Sequence, residues 1–183
     1  MEFIEHDISG VLEIRPRKFE DSRGYFSETF KLSALREHGV AVDFVQDNKS
    51  LSREAGTIRG LHFQLPPFEQ AKLVSVLRGS ILDVAVDIRR ASPTFGRHVA
   101  VTLSAEQGNQ LLIPAGFAHG FCTLEPDCEI AYKVSNPYAP AQDRAVLWSD
   151  PELGIAWPVA IEAAKLSDKD MRAPKLADAP DLF

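Results

Sequence analysis

Apolar and polar residues alternate in short runs along most of this chain, and turn-forming residues close each run after a few positions. The pattern predicts strands at residues 11–15, 24–30, 57–65, 72–77, 81–88, 98–103, 109–113, 118–124, 128–135 and 144–148. The runs at 72–77 and 81–88 flank Arg78-Gly79-Ser80 and read as a hairpin. In the second run Asp83, Ala85 and Asp87 alternate with Leu82, Val84, Val86 and Ile88. Only Lys31 to His38 reads as a helix, a short one stopped by Gly39. Many strands with a single helix point to an all-β sandwich or barrel and away from βαβ units. The Ala-, Asp- and Pro-rich segment after Trp157 is expected to pack irregularly over the body. No repeat, linker or low-complexity tract divides the chain, so residues 1–183 are expected to form a single domain.

Composition narrows the function classes. Hydrophobic residues make up 45% and charged residues 25%, as in an ordinary soluble globular protein. The net charge of -6 argues against a nucleic-acid-binding surface but leaves room for a small anionic ligand held by local basic residues. Two cysteines, Cys122 and Cys128, are too few for a zinc cluster or a disulfide framework and read as reduced small hydrophobes. The N-terminal residues do not resemble a signal peptide, and no apolar run reaches membrane-spanning length. The expected setting is the cytoplasm, without a membrane or nucleic-acid partner.

Chemistry concentrates in two places. In Arg59-Gly60-Leu61-His62-Phe63-Gln64, strand alternation puts His62 and Gln64 on one face with Gly60, and Leu61 and Phe63 on the other. An imidazole can serve as a base near neutral pH, although a hydrogen-bonded interior histidine would look the same. The same alternation sets Arg59 on the face opposite His62, unless the strand start is irregular. The second place is Gly108-x5-Pro114-x-Gly116-x2-His119, where a strand ends in a Pro–Gly turn and restarts with a histidine.

This second spacing resembles the second motif of the cupins, and the region around His62 occupies the place of their first. Metal-binding cupins carry a His-x-His pair there, whereas this chain has His62-Phe63-Gln64. Two histidines alone make a thin site for a divalent metal. A narrower resemblance runs over nearly the whole chain, to the dTDP-4-dehydrorhamnose 3,5-epimerases. Its blocks include Asp21-Ser-Arg23-Gly24-Tyr-Phe-Ser-Glu28, Phe44-Val-Gln46-Asp47-Asn48, Arg59-Gly-Leu-His62-Phe-Gln64, Lys72-Leu-Val and Asp83-Val-Ala-Val-Asp87-Ile-Arg89. It continues through Pro114-Ala-Gly-Phe-Ala-His119-Gly-Phe121, Tyr132-Lys133, Trp148-Ser-Asp150-Pro151 and Leu166-Ser-Asp-Lys169-Asp170.

The resemblance implies a cupin jelly-roll homodimer that uses no metal or organic cofactor and acts on dTDP-4-dehydro-6-deoxy-D-glucose. It implies that His62 is the base, Asp170 its paired carboxylate, Tyr132 the acid and Lys72 the stabiliser of an enolate. Arg23, Glu28, Gln46, Asn48, Arg59, His119 and Lys169 match positions that hold the nucleotide sugar, and Tyr138 suits stacking on the thymine. Asp143 stands where the family often has glutamate, Lys49 where it often has histidine, and Ser75 where it often has arginine. Residue identities leave open a related cupin that epimerises one carbon or isomerises the ketone. Two readings from other classes are a metal-dependent oxygenase and a sugar-binding jelly roll without catalysis.

Overall fold

A computed structural model describes residues 1–183. The chain forms strands β1 (Glu2–Glu5), β2 (Leu12–Arg15), β3 (Lys18–Asp21), β4 (Gly24–Ser27), β5 (Gln46–Ser52), β6 (Ile58–Gln64) and β7 (Lys72–Arg78). They continue with β8 (Ser80–Asp87), β9 (His98–Ser104), β10 (Gln110–Ile113), β11 (Phe117–Thr123), β12 (Cys128–Val134) and β13 (Asp143–Ala145). A six-stranded sheet in the order β1-β2-β10-β7-β12-β5 faces a five-stranded sheet in the order β13-β6-β11-β8-β9, and β3 pairs only with β4. All the strand pairs within these sheets are antiparallel. This is the expected all-β jelly-roll sandwich.

Alternation decides what lies between the sheets. Val74 and Val76 of β7, Ile81 and Ala85 of β8, Phe117 and Phe121 of β11 and Ile130 of β12 form one buried cluster. The intervening residues face outward. Leu61, Phe63, Val84 and Val86 cover the far side of the five-stranded sheet, where Leu153, Leu176 and Ala179 of the C-terminal segment pack over them. Helix α1 (Leu32–Glu37) lays Leu35 against Leu12, Leu73 and Leu112 on the far side of the six-stranded sheet. Because β8 is covered on both faces, its polar-looking side is internal, and Asp83 and Asp87 are both fully buried.

The hairpin expected at 72–88 is not formed. β7 lies between β10 and β12, while β8 lies between β11 and β9 in the opposite sheet. The inner faces of both strands feed the same core, so the chain turns a corner between sheets instead of folding back in one. Gly79 makes this corner with φ +78°, and a Cβ there would lie 2.6 Å from Cys128 Sγ. The strand expected at 24–30 ends at Ser27, and the one expected at 144–148 spans only Asp143–Ala145. Three strands carry no strong apolar alternation and escape the pattern: β1, β3 and β5. In the polar β5, the inward residues meet a cavity and not the core. The expected single helix is joined by α2 (Asp168–Met171), one turn long, in the segment that has no regular period.

The alternation of β6 breaks at Gly60. Three residues of β11, His119 to Phe121, oppose four of β6, Arg59 to His62. The extra residue is a bulge, and it returns Arg59 to the inner face that His62 occupies. Gly60 takes φ +129°, and a Cβ there would lie 2.4 Å from Gly120 Cα and 2.7 Å from the His119 carbonyl oxygen. Gly60→Ala is therefore expected to destabilise the protein by on the order of 3 kcal/mol, read as a lowered midpoint in urea unfolding. An unchanged midpoint would show that the bulge can relax without the glycine.

Candidate active site

Two cavities of about 540 Å³ and about 430 Å³ are both lined by His62, Lys72 and Tyr132, so the three residues form the junction between them. His62 comes from β6 in the five-stranded sheet, and Lys72 and Tyr132 come from β7 and β12 in the six-stranded sheet. The site is thus walled by both sheets, with the histidine and the tyrosine on opposite sides.

His62 Nε2 lies 2.5 Å from Asp170 Oδ1. Asp170 is buried on the one-turn helix α2, whose N-cap is Ser167. Ser167 donates its hydroxyl to Asp170 Oδ2 at 2.9 Å and accepts the Asp170 backbone N–H at 3.2 Å. Burial opposes ionisation of Asp170, but the hydrogen bonds from His62 and Ser167 and the positive charges of His62 and Lys169 outweigh it. The carboxyl is held below its ordinary pKa.

Lys72 is buried, and its Nζ donates to the His62 carbonyl oxygen at 3.3 Å. Dehydration lowers its pKa to about 8, against the raising influence of Asp83 and Asp143. Burial also pushes the Tyr132 phenol above its ordinary range, while the charge of Arg59 pulls it back. Arg59 lines the larger cavity and donates to Ser52 Oγ and the Leu51 carbonyl oxygen, both at 3.1 Å. His119 is buried, with Nε2 2.7 Å from Asp83 Oδ1, and burial pushes its pKa down.

The smaller cavity gathers Gln46, Asn48, Tyr138, Asp143 and Lys169. Gln46 Nε2 donates to Asn48 Oδ1 at 2.7 Å, two residues along the inner face of β5. Asp143 Oδ2 accepts from the Tyr138 hydroxyl at 3.0 Å and from Lys169 Nζ at 2.5 Å. Gln64, which stands where metal-binding cupins place their second histidine, donates to the carbonyls of Phe68 and Pro137 and accepts the Ala139 N–H. Its amide pins the loop that carries Tyr138.

Eleven of the thirteen residues singled out in the sequence therefore line these two cavities or bond to the residues that do. Arg23 and Glu28 do not. Arg23 sits at the exposed tip of the β3–β4 arm, paired with Asp21, and Glu28 is exposed just beyond β4. The departures Lys49 and Ser75 point to the outer face of the six-stranded sheet, where Lys49 pairs with Glu129 and Ser75 accepts from Gln110. Ser167 and Asp83 were not singled out. A serine three residues before Asp170 is a helix-cap signal, and Asp83 belongs to an alternating strand face that reads equally well as solvated.

Comparison with known proteins gives a consistent result along the full chain. A family model described as dTDP-4-dehydrorhamnose 3,5-epimerase matches residues 5–178. A relative of that name from Sinorhizobium fredii is 52% identical over 183 residues, 100% of this chain and 93% of the relative. The crystal structure of dTDP-4-dehydrorhamnose 3,5-epimerase from Bacillus anthracis, with TDP and PPi bound, matches with a TM-score of 0.92 and 49% identity. The match covers 95% of this chain and 98% of that one. A dTDP-6-deoxy-D-glucose-3,5-epimerase from Legionella pneumophila, in complex with dTDP-4-keto-L-rhamnose, matches with a TM-score of 0.91 and 44% identity, covering 96% of this chain and 93% of its own.

The buried ammonium has a consequence for stability. Lys72 has a pKa of 10.5 when hydrated and about 8 in the fold. The folded state therefore carries a penalty that is full below about pH 8 and is relieved as pH rises toward 10.5. Lys72→Met should raise the unfolding free energy at pH 7 by roughly 3 kcal/mol at most, and the gain should shrink to nothing by about pH 10.5. Urea unfolding at the two pH values measures it, and a variant less stable than wild type at pH 7 would contradict the burial argument.

Proposed function

The chain belongs to the dTDP-4-dehydrorhamnose 3,5-epimerase family, and from that premise we propose how its residues convert dTDP-4-dehydro-6-deoxy-D-glucose to dTDP-4-dehydro-L-rhamnose. The observation that carries the proposal is that His62, paired with Asp170 of α2, stands on one sheet while Tyr132 and Lys72 stand on the other, all three lining the same cavities. Inversion of a carbon next to a ketone needs a base on one face of the ring and an acid on the other. A sandwich that takes the ring between its sheets supplies that pair from opposite walls.

The C4 ketone acidifies the C–H bonds at C3 and C5. With Nε2 held by Asp170, His62 takes the proton on Nδ1, and the carboxylate stabilises the imidazolium that results. The electron pair of the broken C–H bond moves onto the C4 oxygen as an enolate, which the Lys72 ammonium stabilises. Tyr132 then donates its phenolic proton to the carbon from the opposite side, and the enolate returns to the ketone. The charge of Arg59 makes that donation easier. Return of a proton to Tyr132 and loss of one from His62 to solvent reset the site for the second carbon. The smaller cavity holds the nucleotide, with Tyr138 against the thymine, Lys169 toward the diphosphate, and Gln46, Asn48 and Asp143 fixing the register. His119 and Arg59 hold the sugar in the larger cavity.

The exposed β3–β4 arm supports a homodimer. Phe19, Tyr25 and Phe26 on that arm are about half to two-thirds exposed, and Arg23 stands at its tip. In this reading the arm lies on a second copy, so Arg23 and Glu28 complete the partner's nucleotide cavity and not their own. The cytoplasm is the compartment that suits this reading, since the enzyme carries its two cysteines unpaired.

Turnover in D2O should place deuterium at both C3 and C5. A single labelled position would assign a one-carbon epimerase, and no label at either would defeat the proposal. His62→Ala should lower exchange by about 10³-fold or more. Tyr132→Phe should keep His62-dependent exchange while losing net inversion. The homodimer has its own test. Mixing inactive Arg23→Ala and His62→Ala subunits should restore activity through hybrid dimers that contain one intact site. A monomer in sedimentation, or no restoration on mixing, would refute the shared site.

A further inference from the structure

Asp83 is a buried carboxylate that the mechanism above does not use. It lies on the inner face of β8 with no exposed surface, and only one of its oxygens has a hydrogen-bond partner. Oδ1 lies 2.7 Å from His119 Nε2, while Oδ2 is buried without one. A dehydrated carboxylate so poorly satisfied is costly unless a positive charge compensates it. Lys72, also buried on the facing sheet, receives its strongest favourable charge influence from Asp83. Neither group has its own close ion-pair partner in a salt bridge, apart from the His119 contact of Asp83.

We propose that Asp83 is a positioning residue for the epimerase reaction. It fixes the His119 ring through Nε2 and supplies the counter-charge that keeps Lys72 an ammonium in a dry site. The proposal rests on the reading that Lys72 stabilises the enolate. Because Asp83 accepts the Nε2–H of a neutral His119, Nδ1 is left as an acceptor for a sugar hydroxyl. Asp83 thereby serves two parts of the site with one charge, one oxygen bonded to the ring and the other left to the field around Lys72. The remaining groups about Lys72 are His62 and Arg59 on β6, Tyr132 on β12, Asp143 on β13, and Lys169 and Asp170 on α2, the last already paired with His62. Asp143 is already neutralised by Lys169 at 2.5 Å, so Asp83 is the carboxylate free to balance the buried ammonium.

The test is the alkaline limb of kcat/KM, which reports the free enzyme. In wild type the limb should fall near pH 8, where Lys72 loses its proton. Asp83→Asn keeps an acceptor for His119 but removes the charge, so the limb should move down by on the order of one pH unit. A limb that stays in place while thermal stability falls would reduce Asp83 to a structural role and overturn the proposal. If Asp83→Asn does not fold, Asp83→Glu carries the test: the charge is kept and the ring contact displaced, so kcat/KM should fall with the limb unmoved. A limb displaced downward in that variant overturns the proposal equally. Lys72→Met separates the two layers. If the limb persists in Lys72→Met, the reading of Lys72 fails, whereas a limb lost there and unmoved in Asp83→Asn defeats the role of Asp83 alone.

Discussion

The site depends on the contact between two glycine backbones, Gly60 of β6 and Gly120 of β11. Neither position has room for a side chain: a Cβ on Gly60 would meet Gly120 Cα at 2.4 Å, and one on Gly120 would meet the Arg59 carbonyl oxygen at 2.8 Å. Close approach at this point lets β6 carry one residue more than its partner without opening the sheet. A side-chain period of two makes that single residue decisive, since it transfers everything on one side of the bulge to the other face. His62 stays on the inner face opposite His119, and Arg59 joins them there instead of pointing into the outer cluster around Trp148. A regular strand would have brought one of the two charged groups to the cavity and buried the other among apolar side chains.

The second requirement is a carboxylate for His62, and the sandwich itself does not provide it. It comes from the C-terminal segment, which crosses the outer side of the five-stranded sheet, pairs Lys165 with Thr57 and turns once at α2. The turn is too short to be stable by itself, so its geometry is fixed by contacts: the Ser167 cap, the bond from Asp170 to His62 and the packing of Leu166 against the cluster of Ile58, Cys122 and Trp148. This part of the site is thus supplied from outside the sheets, by a segment whose own sequence has no period. The same arrangement bonds Ser167, the helix cap, to both the backbone N–H and the carboxylate of Asp170, so local structure and site geometry cannot vary independently.

How much of this was legible in the sequence follows from which force positions each element. Strands whose inward residues pack in the core, such as β7, β8 and β11, show themselves through alternation because burial selects the apolar positions. β5 is hidden because its inward residues, Gln46, Asn48 and Ser50, line the cavities and not the apolar core, so nothing selects apolar side chains there. The hairpin expected around Gly79 fails for a different reason: alternation identifies two strands but does not state which sheet each joins, and the shared core decides that. His62, Asp170, Tyr132 and Lys72, which the structure brings together, were singled out because they stand in ordered blocks resembling a family. Composition and periodicity alone would have left His62 divided between base and core residue. Arg59 illustrates the limit most clearly, because strict alternation put it on the wrong face and only the three-dimensional register corrected it.

Charge burial explains why so ordinary a sandwich is committed to one task. Lys72, Asp83, Asp170 and His119 are all nearly or fully enclosed, and each would be better tolerated at the surface. The apolar clusters on both sides of the sheets supply the stability against which these groups are held. In the proposed mechanism dehydration works in favour of the chemistry, because a buried ammonium would stabilise an enolate oxygen far more than one in water. It also sets the acidity of the groups: Lys72, lowered to about 8, is a stronger acid than a hydrated lysine, while the raised Tyr132 phenol is a weaker one. Formation of the enolate next to Lys72 favours the ammonium, and formation of the imidazolium at His62 is favoured by Asp170. In the proposed mechanism each charge created in the reaction therefore appears beside a group already held in the fold at an energetic cost, and the reaction relieves part of that cost.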